Sequence, residues 1–111
     1  MVNIEKQNQV EIISFTVRRI NALIVDEISE RIMKVFDNSN TKVIINLKGV
    51  EYIDSSGFGC FLSAMRAARN NYSVLKFASP GPEVDSLLKM LNLHTVFQIY
   101  PDLDTCIRSF K

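Results

Sequence analysis

The sequence predicts a small, single-domain α/β fold: a mixed, mainly parallel sheet of four to five strands with about four helices. Three observations predict it. Hydrophobic periodicity switches back and forth between strand-like and helix-like along the chain. The Val43–Leu47 run (VIINL) is almost wholly apolar, as befits a strand covered on both faces. Strand-like runs then alternate with helical ones, the pattern of parallel strands joined by right-handed crossovers.

Residues 10–17 (VEIISFTV) are rich in β-branched and aromatic types and read as a strand. A shorter strand near residues 2–6 precedes it, with Gln7–Gln9 as the turn, so these two should be antiparallel. Ile24, Ile28, Ile32, Val35 and Phe36 trace one face of a first helix, which the turn formers of Asp37–Thr41 (DNSNT) end. After the VIINL strand and a turn at Asp54–Gly57, Phe58, Phe61, Leu62 and Met65 have i, i+3, i+4, i+7 spacing, so a second helix runs to about Asn70–Asn71. Val74–Ala78 is the next strand. Ser79-Pro80-Gly81-Pro82 turns into a third helix with Val84, Leu87, Leu88 and Leu91 inward. Val96–Tyr100 reads as a last strand, and Leu103–Phe110 as a closing helix begun by Pro101 and Asp102.

Composition narrows the function. The 111 residues are 47% hydrophobic and 23% charged, ordinary for a globular chain with one core and no disordered tail. Residues 1–111 show no linker or repeat and are expected to form one domain. Thirteen basic residues against twelve acidic ones leave +1, so no bulk field favours nucleic acid or an anionic membrane. No apolar run reaches the roughly 18 residues of a membrane span, and Met1–Gln9 lacks the apolar stretch of a signal peptide. A cytoplasmic protein without direct membrane insertion is the expectation, as a monomer or weak dimer. Cys60 and Cys106 lie far apart without metal-type spacing, and His94 is the single histidine. Reduced thiols, no metal and no cofactor are expected. Cys60 lies one turn into the second helix, where the dipole favours a thiolate, yet an unpaired cysteine on this face reads as a buried structural thiol. Met33, Met65 and Met90 read as core filler, and Arg66 and Arg69 as a solvated outer face.

One constellation carries chemistry: Asp54, Ser55, Ser56 and Gly57, where the loop after VIINL enters the second helix. Sites gather at the carboxyl ends of strands in open α/β sheets. A serine here faces free N–H groups and the positive end of a helix dipole, which favour an added phosphate. Gly57 should let a partner backbone or a phosphate come close, and Gly59 thins the same turn. N-capping accounts for Asp54 and Ser55 with no further role, and that alternative stays open. A nucleophilic serine needs a base, and His94 sits among apolar residues elsewhere; the Gly-x-Gly lacks a phosphate-loop lysine. Hydrolase and nucleotide-binding readings are rejected, and no paired acid/base set supports an enzyme.

The segment Val50-Glu51-Tyr52-Ile53-Asp54-Ser55-Ser56-Gly57-Phe58-Gly59 resembles the signature of the STAS family, typified by bacterial anti-sigma factor antagonists. The Val43–Leu47 strand is similar as well. So is the tail, where Val84, Leu87, Leu88, Leu91 and Leu93 precede Val96-Phe97-Gln98-Ile99-Tyr100. The likeness spans nearly all the chain. It implies that Ser55 is the phosphorylated residue, that Asp54 supports recognition and phosphorylation, and that Ser56 and Gly57 shape the turn. It also implies a partner that is at once a serine kinase and an anti-sigma factor; a phosphatase is a further candidate partner, and the sequence does not say whether one resets the switch.

One stretch departs from the family pattern. Many antagonists carry Gly-x-Leu/Ile-Asp before the first helix; here it is Arg18-Arg19-Ile20-Asn21, which loses an acid and gains a base. These arginines either hold a Ser55 phosphate within the chain, read an acidic patch on the partner, or are simply solvated. The expected docking surface is Asp54, Ser56, Gly57 and a partly exposed Phe58, with Arg19 and Asn21 beside them. A phosphate on Ser55 adds about −1.5 to −2 charge next to Asp54. A penalty of about 3 kcal/mol would weaken binding roughly 150-fold. The alternative is a STAS interaction subunit that is never phosphorylated, as in lipid-transport ATPases; a free-standing chain argues against an anion-transporter tail.

Overall fold

A computed structural model describes residues 1–110. β1 (Val2–Gln7) and β2 (Val10–Phe15) form an antiparallel hairpin. Asn8 and Gln9 both take positive φ at its tip, the backbone that a two-residue hairpin turn needs to match strand twist. α1 (Val25–Val35) leads to β4 (Lys42–Asn46), α2 (Ser55–Asn70) to β6 (Val74–Ala78), and α3 (Pro82–Met90) to β7 (Ile99–Tyr100); α4 (Leu103–Arg108) follows. The sheet order is β1-β2-β4-β6-β7, parallel from β2 onward. The expected mainly parallel five-stranded sheet with four helices is thus the fold of the described residues.

Register explains the two-sided burial of the central strands. Ile13, Ile45 and Phe77 stand in one row, Ile12, Ile44 and Lys76 in the next, and rows alternate faces. The first face packs against Ile28 and Ile32 of α1, Phe61 and Ala64 of α2, and Val84 and Leu88 of α3. Phe61, Phe77 and Phe97 line up there with ring centroids 5.5 and 4.4 Å apart. On the second face Cys106 and Ile107 of α4 cover Val10, Ile12, Ile44 and Ala78. Lys76 also points to this side. Its Nζ donates to the Ser109 hydroxyl at 2.8 Å and lies 4.4 Å from the Phe110 ring centre.

Several expectations are corrected. The Val96–Tyr100 strand shrinks to Ile99–Tyr100, because α3 ends at Met90, Asn92 then takes left-handed backbone, and Leu93–Thr95 makes a 3₁₀ turn. Leu91 therefore falls outside the helix and is exposed rather than inward. Met33 and Met90 are exposed, and of the three methionines Met65 packs against the core. α2 begins at Ser55, so Ser55–Gly57 is its first turn rather than a loop before it. Two further strands were not foreseen: β3 (Arg19–Ile20) and β5 (Tyr52–Ile53), a separate parallel pair in the loops at the site. Two residues are too few to show a period.

Candidate functional site at the start of α2

The β3–β5 pair assembles the site. Arg19 lies beside Tyr52 and Ile20 beside Ile53. The Glu51 N–H donates to Arg18 O at 2.7 Å and the Asp54 N–H to Ile20 O at 3.0 Å, extending the pairing at both ends. Alternation sends Ile20 and Ile53 into the core and leaves Arg19 and Tyr52 outside. There the Arg19 guanidinium sits 5.8 Å from the Tyr52 ring centre, a cation–π contact. The segment after β3 is thereby carried to the first turn of α2, although thirty-odd residues separate them in sequence.

Asp54 is the N-cap of α2. Its Oδ1 accepts from the Ser56 hydroxyl at 2.5 Å and from the Gly57 N–H at 3.1 Å. Its Oδ2 accepts from the Ala22 N–H at 3.2 Å, across from the other loop. The Ser56 hydroxyl above all, then the Gly57 N–H, hold the Asp54 carboxyl below the ordinary carboxylate range; desolvation opposes them and loses. Asn21 shapes the same loop, its Oδ1 accepting from the Leu23 N–H at 3.0 Å.

Ser55 is the first residue of the sixteen-residue α2 and is exposed. It stands at the positive end of the helix dipole, with its turn fixed from beneath by Asp54. Ser56, half-buried, spends its hydroxyl on Asp54. The two serines therefore divide the work, one facing solvent and one holding the cap.

Two expectations about this surface are corrected. Phe58 is 4% exposed and belongs to the core, so it offers nothing to a partner directly. Helix geometry turns it inward together with Phe61. Gly57 is buried too, and its bare side faces inward. A Cβ there would lie 2.6 Å from Ile53 Cγ2 and 3.0 Å from Ile20 Cγ2. The glycine lets α2 settle on the β3–β5 pair and makes no room for a ligand. Gly59 has nothing within 4 Å of a built Cβ.

Asp54 thus joins the Asn21–Leu23 loop to the turn that carries Ser55 and Ser56, while Arg19 lies on the outer side of the β3–β5 pair beside Tyr52. Sequence reasoning missed Leu23, which projects 92% exposed from the loop that Asp54 holds, and the outward Tyr52, 43% exposed. Leu23 sits in an apolar stretch and reads as core until the fold is seen, and Tyr52 adjoins the buried Ile53 in a strand too short to show a period. Cys60 is buried, and burial pushes its thiol up, so desolvation outweighs the dipole. Among the described residues no group of His, Cys, Asp and Glu could hold a metal, and no helix is long and apolar enough to cross a membrane.

No curated protein matches the sequence. Solved structures match the fold. An anti-sigma-factor antagonist (STAS) domain protein from Planctomyces limnophilus superposes with a TM-score of 0.90 at 20% identity, covering 97% of this chain and 96% of that one. An anti-sigma factor antagonist from Mycobacterium paratuberculosis gives 0.88 at 19% identity, covering 98% and 92%. The Bacillus cell fate determinant SpoIIAA, in its phosphorylated form, gives 0.72 at 16% identity over the whole of both chains. A model of the STAS domain matches residues 1–106, and the chain therefore belongs to the STAS domain family.

Proposed function

We propose that this STAS domain is an anti-sigma factor antagonist of the cytoplasm, a phospho-switched interaction module rather than an enzyme. It binds a partner that is both serine kinase and anti-sigma factor while Ser55 carries a free hydroxyl, and releases it once Ser55 is phosphorylated. A phosphatase restores the bound state. The observation that carries this reading is the placement of Ser55: exposed, first in a long helix, on a turn held rigid by Asp54.

The partner meets Ser55 and the rim formed by Arg19 and Asn21. Asp54 and Ser56 hold the turn in register, while Gly57 and Phe58 support it from below. A phosphate adds about −1.5 to −2 charge beside the ionised Asp54, and an interface covering that turn must desolvate both. The fold need not move for the complex to fail. Fold neighbours described as anti-sigma factor antagonists, one of them solved phosphorylated, support the reading.

Intact mass of the protein from its own cells tests the chemistry: a fraction heavier by about 80 Da, localised to Ser55 by fragmentation, is expected. Titration of the co-purified partner tests the switch, with binding to Ser55→Asp weaker by two orders of magnitude. Equal affinities for wild type and Ser55→Asp would overturn it. A membrane ATPase as the co-purified partner, with no phosphate on Ser55, would favour the unphosphorylated transport subunit instead.

A further inference from the structure

A groove of about 500 Å³ opens between β5 and α3, with Arg19, Glu51, Tyr52, Glu83, Leu87 and Met90 in its lining. Glu83, Leu87 and Met90 succeed one another at i, i+4 and i+7, so they form a straight strip on one side of α3. The strip is about 10 Å long, two turns of helix. Met90 is 78% exposed and Tyr52 43%, large apolar side chains left in water beside the half-buried Leu87. Two carboxylates, Glu51 and Glu83, stand against one guanidinium, and that guanidinium is already over the Tyr52 ring.

We infer that this groove is a second foothold for the protein partner and takes an amphipathic helix carrying large apolar side chains and a Lys or Arg. The strip length matches the i, i+3/i+4, i+7 anchors by which one helix lies along another. Its apolar end, Leu87–Met90, receives the anchors. The carboxylates attract the cation, which fixes the direction in which the segment lies. This deepens the proposed function by naming what the partner presents beside Ser55.

The test needs neither the partner nor a phosphate, so its outcome is independent of the switch. A synthetic amphipathic helical peptide of leucine and lysine is titrated into the isotope-labelled protein, with a leucine–glutamate peptide of the same pattern as control. Saturable amide shifts centred on Arg19, Tyr52, Leu87 and Met90 are expected for the lysine peptide, with binding at least tenfold weaker for the glutamate one. Met90→Ser, which removes the apolar anchor at an exposed position without changing charge, should weaken binding at least tenfold, and Tyr52→Ser should weaken it too. Val74→Glu, at an exposed site outside the groove, should leave them unchanged. Equal binding of both peptides, shifts centred elsewhere, or full binding by Met90→Ser would overturn the inference.

Discussion

The Asp54 carboxylate accepts a hydrogen bond from the Ala22 backbone N–H, 3.2 Å from Oδ2, while its Oδ1 caps α2 through the Gly57 N–H. One side chain therefore fastens two loops that the sequence keeps 32 residues apart, and Ser55 is presented from the seam.

Acid should loosen this seam. The Asp54 carboxyl titrates below the ordinary 3.8, so its contribution is full above about pH 4 and is lost as the pH falls through the folded value. Asp54→Asn lacks that titration. Urea midpoints of wild type and Asp54→Asn should differ by a constant amount near neutrality and converge on acidification below that range. Amide exchange at Ala22 and Leu23 should quicken in the variant even at neutral pH, while β4 stays protected.

The two glycines of α2 should respond in opposite directions. Gly57→Ala places a methyl 2.6 Å from Ile53 Cγ2, against fully buried side chains that cannot move aside. A loss of about 1–3 kcal/mol is expected from such overpacking. Gly59→Ala meets open space in a helix and should gain about 0.5–1 kcal/mol. Denaturant unfolding of the pair gives both signs, and a neutral Gly57→Ala would refute the close approach.

Ser55 and Ser56 should separate cleanly. Ser55→Ala, at an exposed hydroxyl, should change stability by less than about 0.5 kcal/mol while removing the phosphate acceptor. Ser56→Ala deletes the strongest bond to Asp54 and should raise that carboxyl toward its ordinary value. Carboxyl-carbon NMR titration of Asp54 in each variant reads the difference.

Neither thiol should be reactive in the folded protein. Burial raises the Cys60 thiol, and it takes Cys106 up to about 11 despite the nearby Lys76. Labelling by a thiol reagent at pH 8 should proceed no faster than local opening. Lys76→Met removes the ammonium that donates to Ser109 and faces Phe110, so α4 should open more often and Cys106 should label faster while Cys60 does not.

The alternation of strand-like and helix-like runs carried the architecture. Val43–Leu47 is flanked by neighbours on both edges and covered on both faces, as an unbroken apolar run requires. Asp54, Ser55 and Ser56 were legible because capping is local chemistry, decided within one turn of helix. Phe58 was misread because its burial depends on where α2 rests, and Gly57 because the space it leaves empty belongs to Ile20, far away in the chain. Leu91 continues the periodic pattern of α3, yet the helix stops at Met90 and the chain turns through left-handed Asn92, which leaves both Met90 and Leu91 exposed.

By itself the sequence determined the order of elements, the capped start of α2 and the hydroxyl that stands there, since each follows from periodicity or from hydrogen bonds a few residues long. Tertiary structure alone decided that β3 lies against β5, that Asp54 reaches Ala22, and that Arg19, Tyr52 and Met90 share one groove. Those contacts join segments whose local preferences say nothing of each other. They form because burying Ile20 and Ile53 under α2 leaves their neighbours on the outside.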